Sequence, residues 1–102
     1  MVLGHTACGA VAGAIAGAEL GNLTQLLQRI QPLSLKVDGF SDDDRIASNG
    51  AFVNAVADRS VLNTLEAIRR DSPVLADLEK NGGIKIVGAG YDLETGRVYL
   101  MD

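Results

Sequence analysis

The sequence is poor in aromatic residues: two Tyr, two Phe and no Trp among 102 residues. Without large rings, a core must be assembled from Ala, Val, Leu and Ile, and a hydrophobic content of 47% supplies them. There is one cysteine, Cys8, which excludes an intramolecular disulfide and fits a reducing compartment. Basic residues are few. Lys and Arg number 9 against 13 Asp and Glu, for a net charge of -4. That balance excludes a polyanion as partner, because nucleic-acid binding needs a basic footprint. The densest basic spot, Arg69-Arg70, reads as a solvated helix end. Long apolar runs are missing too. The small-residue run at 7–18, ACGAVAGAIAGA, falls short of the roughly 20 residues that cross a bilayer. No basic segment precedes it, as a signal peptide would require. The expectation is a soluble, cytoplasmic chain forming one domain over 1–102, with neither a membrane nor a nucleic acid as partner.

What is present reads as an α/β protein: a short, mainly parallel sheet with a C-terminal hairpin, flanked by helices. Met1-Val2-Leu3-Gly4 has the character of the end of a buried strand. Residues 8–18 predict a helix in which Gly9, Gly13 and Gly17 recur every four residues. Three glycines on one face leave almost no side chain there. The stripe suits close approach by another backbone, such as a second subunit, or a plain small-residue packing helix. Asn22 opens the next helix as a cap with Gln25 following, Leu23, Leu26, Leu27 and Ile30 give it a face, and Pro32 stops it. LSLKVDGF reads as a short extended piece, and Asp42-Asp43-Asp44 as a solvated helix cap. That run lacks the Gly and Glu spacing of a calcium loop. A long helix follows over about 45–70, with Phe52, Ala55, Val56, Leu62, Leu65 and Ile68 approximating one face. Ser72-Pro73 starts another helix, packed by Val74, Leu75 and Leu78 and ended by Asn81-Gly82-Gly83. Ile84–Ala89 then predicts a strand, Asp92–Gly96 a turn, and Arg97–Met101 the returning strand of a hairpin.

One constellation carries chemistry. Gly4-His5-Thr6-Ala7-Cys8-Gly9 lies where a strand ends and a helix begins, the place where α/β folds usually bind ligands. Imidazole nitrogen and thiolate sulfur are both good zinc donors, and three residues of separation lets them face one metal. Cys8 sits near a helix N-terminus, where the dipole favours thiolate. Gly4 and Gly9 keep the surroundings open. By spacing alone, a His and a Cys three apart more often mean packing than metal, and zinc takes about four ligands rather than two.

The surrounding residues add a family. VLGHTACGAV resembles the second zinc motif of β-class carbonic anhydrases. Asn63-Thr64-Leu65 lies in a helix similar to theirs, and Ser72-Pro73-Val74-Leu75 resembles their S-P-hydrophobic-L signature. Ile84–Ala89 with Tyr91–Gly96 is similar to their final strand and turn. The matches keep family order from residue 2 to about residue 100, with 33–50 matching poorly. The resemblance implies a truncated β-carbonic-anhydrase-like fold, with His5 and Cys8 as two of the three protein zinc ligands and Gly9 close to the metal. It also implies oligomers of two or more chains, and zinc-dependent hydration of carbon dioxide to bicarbonate.

The family's first motif, C-x-D-x-R, finds no counterpart in these residues. It carries the remaining cysteine ligand and an Asp-Arg pair that holds the zinc-bound water. The expectation is therefore a homologue retaining half of the zinc site, weakly active or inactive as a lone chain. Zinc is either shared between two chains, as a closed set of two histidines and two cysteines, or absent. Two other outcomes stand beside it: a non-catalytic dimeric module with a vestigial site, and an active enzyme whose missing motif comes from another chain.

Overall fold

The computed structural model describes residues 1–101. Seven regular elements follow one another: β1 (Val2–His5), α1 (Gly9–Ile15), α2 (Leu23–Ile30), α3 (Gly50–Asp71), α4 (Pro73–Lys80), β2 (Gly88–Tyr91) and β3 (Val98–Met101). The strand order is β1-β2-β3. β1 runs parallel to β2 with Val2 beside Gly88 and His5 beside Tyr91, and β2 pairs antiparallel with β3 as the expected C-terminal hairpin.

Helix α3 lies across one face of the sheet and positions everything else. Gly88 of β2 makes this possible. A Cβ there would lie 2.7 Å from Val61 Cγ1 and 3.0 Å from Leu65 Cδ1, so only glycine lets the helix sit so close. On its other side α3 meets α1 and the segment after α2. Val11, Leu33, Val37, Phe52, Val53, Val56 and Ala57 form that cluster, with Phe40 set edge-on to Phe52 at 5.2 Å between ring centres. Phe52, Val56 and Leu65 are fully buried, each stabilising the fold by about 1.5–3 kcal/mol. The sequence anticipates these three but not Val53, Ala57 and Val61, which are also buried. The buried arc is broad because α3 is wedged between the sheet and α1 rather than laid on a single surface.

Several sequence expectations shift. The helix expected over 8–18 ends at Ile15. Gly17 lies beyond it with φ +70°, in the left-handed conformation that terminates helices, so Gly9, Gly13 and Gly17 do not form one continuous helical face. The strand expected over Ile84–Ala89 is Gly88–Tyr91 instead. Strand β1 begins at Val2, which leaves 84–86 without a ladder partner. The Ile84 amide donates to the Leu78 carbonyl at the exit of α4, and the Ile86 carbonyl accepts from Arg69. The LSLK of LSLKVDGF forms a 3-10 turn over Gln31–Lys36, not an extended piece. The Asn22 side chain makes no cap; Thr24 Oγ1 accepts from the Leu20 amide instead. The long helix starts at Gly50, five residues later than expected, behind a 3-10 turn at Asp42–Asp44. Ser72 caps α4 as anticipated, with Oγ accepting from the Leu75 amide at 3.3 Å. Val74, Leu75 and Leu78 do not pack it, since all three are exposed. The helix is held instead by Arg69, whose guanidinium donates twice to the Glu79 carboxylate at 2.8 Å.

β1 is an edge strand rather than a buried one. Val2 and Thr6 donate to β2-side carbonyls, so the parallel alternation turns the N–H and C=O groups of Leu3 and His5 outward. Leu3, Ala89 and Leu100 are in register on the face opposite α3, where Leu3 is 55% and Leu100 74% exposed.

Candidate metal centre

His5 ends β1 and Cys8 is the residue from which α1 starts. Between them the chain must reverse within two residues. It does so at Ala7, which has φ +51°. Ala7 is the only residue other than glycine with positive φ among the described residues. A left-handed non-glycine residue costs about 1–3 kcal/mol and persists only where its surroundings impose it. Three hydrogen bonds hold the loop here. The Ala7 amide donates to Asn54 Oδ1 on α3 at 3.0 Å. Thr6 is fixed from the other side: its amide donates to the Tyr91 carbonyl, and its Oγ1 accepts from the Leu93 amide at 3.0 Å. The loop is thereby tied to both the sheet and the helix.

His5 and Cys8 both line a groove of about 210 Å³ that follows the outer edge of β1, walled by Val11, Ile30, Ala57 and Val61. His5 is exposed and Cys8 half-buried against the α1–α3 core. His5 Nδ1 lies 2.8 Å from the Thr6 carbonyl. A carbonyl only accepts, so in the neutral ring that makes this bond Nδ1 is the protonated nitrogen and Nε2 the one with a free lone pair. A ring nitrogen anchored to a backbone carbonyl is the usual support of a metal-binding histidine.

The donor types suit zinc, but their number does not. No group of three or more His, Cys, Asp and Glu side chains able to hold a metal occurs among the described residues. Asp42, Asp43 and Asp44 sit in their own 3-10 turn, with Asp44 bonded to Ser41. The described residues therefore offer an incomplete set for a metal that takes about four ligands.

The glycines of the motif divide by role. Gly4 faces α3, and a Cβ there would lie 2.8 Å from Val61 Cγ2, so it serves helix–sheet contact as well as lining the groove. Gly9 has open space around its Cα. Gly13 faces Leu27 of the same chain at 3.6 Å from an added Cβ. Asn54 and Thr6 carry no sequence signal as loop anchors. Asn54 is a polar residue in a long helix, and the contact that gives it meaning spans 47 positions.

The sequence pattern of the carbonic anhydrase family matches residues 1–98. The chain belongs to that family. Carbonic anhydrase 2 of Mycobacterium tuberculosis, found in two strains, is 30% identical over an alignment covering all of this chain and 48% of that protein. The chain thus spans about half the length of the curated relatives it matches. Solved β-carbonic anhydrases share the fold. A tetrameric enzyme of the filamentous ascomycete Sordaria macrospora superimposes with a TM-score of 0.79 at 22% identity, covering 97% of this chain and 49% of the other. The β-carbonic anhydrase CcaA gives 0.72 at 19% identity, covering 98% and 45%. CafD of Aspergillus fumigatus gives 0.63 at 17%, covering 98% and 54%. The carbonic anhydrase family expected from VLGHTACGAV and the later motifs is the one the chain belongs to, and its fold is that of solved β-class enzymes. No helix among the described residues is long and apolar enough to cross a membrane.

Proposed function

We propose that this β-class carbonic anhydrase homologue binds zinc through His5 and Cys8, and that a second copy of the chain supplies the remaining ligands. The observation that carries the reading is the bond between His5 Nδ1 and the Thr6 carbonyl. It leaves Nε2 as the free donor beside a groove that Cys8 also lines. With two donors per chain, a twofold pair completes the four-ligand set typical of structural zinc. When bound in enzymes of this family, zinc lowers the pKa of a water that attacks carbon dioxide. A set closed by four side chains leaves no place for that water, so this reading expects weak hydration or none from the chain alone. Cys8 must stay reduced to bind, which suits the cytoplasm.

The fold limits how the two copies meet. Only Leu3 and His5 of β1 turn their N–H and C=O groups outward, so antiparallel pairing of β1 with its own copy can set Leu3 opposite His5, which leaves the two His5 residues two positions apart, about 7 Å along the strand. Gly9 leaves the approach to the His5–Cys8 end of β1 open. Elemental analysis with light scattering on the purified chain tests the proposal. One zinc per two chains is expected, lost with Cys8→Ser. Pure protein that is dimeric but free of metal overturns it and favours the alternative, a non-catalytic dimeric module. The uncovered apolar Leu3 and Leu100 on the sheet support that second reading.

A further inference from the structure

The geometry points to Asn54 as a positioning residue for the zinc donors. This inference rests on the metal reading of His5 and Cys8 and deepens it. Asn54 touches neither donor. It acts on the residue between them, by accepting the Ala7 amide at 3.0 Å where the backbone holds φ +51°. That left-handed residue reverses the chain, so that the last residue of β1 and the residue at the start of α1 face one groove. With Ala7 in an ordinary extended or right-handed conformation, the chain would leave β1 in another direction and carry Cys8 away from His5. Alanine does not adopt φ near +50° by itself, as glycine does. The loop therefore needs an external acceptor at the Ala7 amide, and α3 supplies it. Thr6 fixes the other half of the loop to Tyr91 and Leu93, which leaves the Asn54 contact as the restraint on the Cys8 side.

Outer partners of metal ligands typically change metal affinity by about 10–100-fold when removed. Cobalt(II) titration of the full chain, read by the thiolate-to-cobalt absorption of Cys8, measures the effect. Asn54→Ala is expected to weaken cobalt binding by at least about 10-fold. The added change Ala7→Gly in the Asn54→Ala protein is expected to restore most of that loss, because glycine takes the left-handed conformation without help. A general loss of helix or core stability would not be recovered by a substitution in the loop. Unchanged cobalt affinity in Asn54→Ala overturns the proposal, as does a loss that Ala7→Gly fails to restore. Hydrogen exchange of the Ala7 amide in metal-free protein gives an arm independent of metal. Exchange should quicken at least about 10-fold in Asn54→Ala, and an unchanged rate overturns the role of Asn54 even if cobalt binds. A wild-type chain with no thiolate band instead fails the metal reading, while the exchange arm still decides the loop.

Discussion

The Tyr99 hydroxyl donates to Asp58 Oδ1 at 2.9 Å, joining β3 to the middle of α3. Its ring lies over Gly90, the residue opposite it on β2, where any Cβ would run into the ring. Glycine on the central strand and tyrosine on the outer strand thus act as a pair. The arrangement pushes the Tyr99 phenol up to about 12 from 10.0, through burial first and then the hydrogen bond to Asp58.

An alkaline step in stability follows. The folded chain holds Tyr99 neutral more strongly than the unfolded chain does. Its contribution is fully present below pH 10 and is lost as pH rises through about 12. Urea melts at pH 9 to 12 are expected to show this loss in the wild type and a shallower one in Tyr99→Phe, on the order of one unit of pH being enough to separate them. Parallel curves across that window would show that the bond does not matter.

Close packing of α3 on the sheet makes Gly88 intolerant of side chains. Gly88→Val is expected to destabilise the chain by about 1–3 kcal/mol through overpacking against Val61 and Leu65. In contrast, Gly82 has open space but φ +78°, so Gly82→Ala costs backbone strain of about 1 kcal/mol. Thermal melts of the two variants should rank in that order.

Leu65 is 2% exposed and lies under Gly88. Leu65→Ala is expected to cost about 2–5 kcal/mol, the range for removing a buried leucine. The same change at Leu100, 74% exposed, should cost under about 0.5 kcal/mol in the monomer. A larger cost at Leu100 that grows with protein concentration would place a partner on that face.

Acid weakens the attachment of α4. The Glu79 carboxyl is held below its ordinary value, chiefly by its hydrogen bonds from Arg69. A lowered carboxyl contributes stability above the unfolded value of 4.5 that is lost as pH falls through the folded value. The pair is exposed, so the effect is small and screened by salt. Glu79→Gln should lower neutral stability slightly and thereby flatten the acid limb of the stability curve below pH 4.5.

If zinc bridges two chains, chelation has a structural effect. Treatment with a strong chelator at neutral pH should convert dimer to monomer, and zinc should restore it, as followed by light scattering. His5→Ala should be monomeric in both conditions. A dimer indifferent to chelator and to His5→Ala would place the interface away from the loop.

The order of elements and the family were legible in the sequence because each is written locally. The S-P start of α4, the glycine turn before β3 and the H-x-x-C spacing depend on neighbouring residues and on backbone preferences. Phe52, Val56 and Leu65 follow helical periodicity. Tertiary structure decided the rest. The strand at 84–89 moved to Gly88–Tyr91 because pairing begins where β1 begins. Gly17 left its helix, a boundary that the four-residue glycine repeat concealed. The width of the buried face of α3 depends on having the sheet on one side and α1 on the other. Above all, nothing within H-T-A-C states that Ala7 turns left-handed. The Ala7 amide there donates a hydrogen bond to Asn54 Oδ1, 47 residues away, and contacts at such separation exist only once the chain has folded. The sequence by itself determined that a histidine and a cysteine stand three positions apart at a strand-to-helix junction, and only the fold decided that they line the same groove, because the loop between them is held by residues distant in sequence.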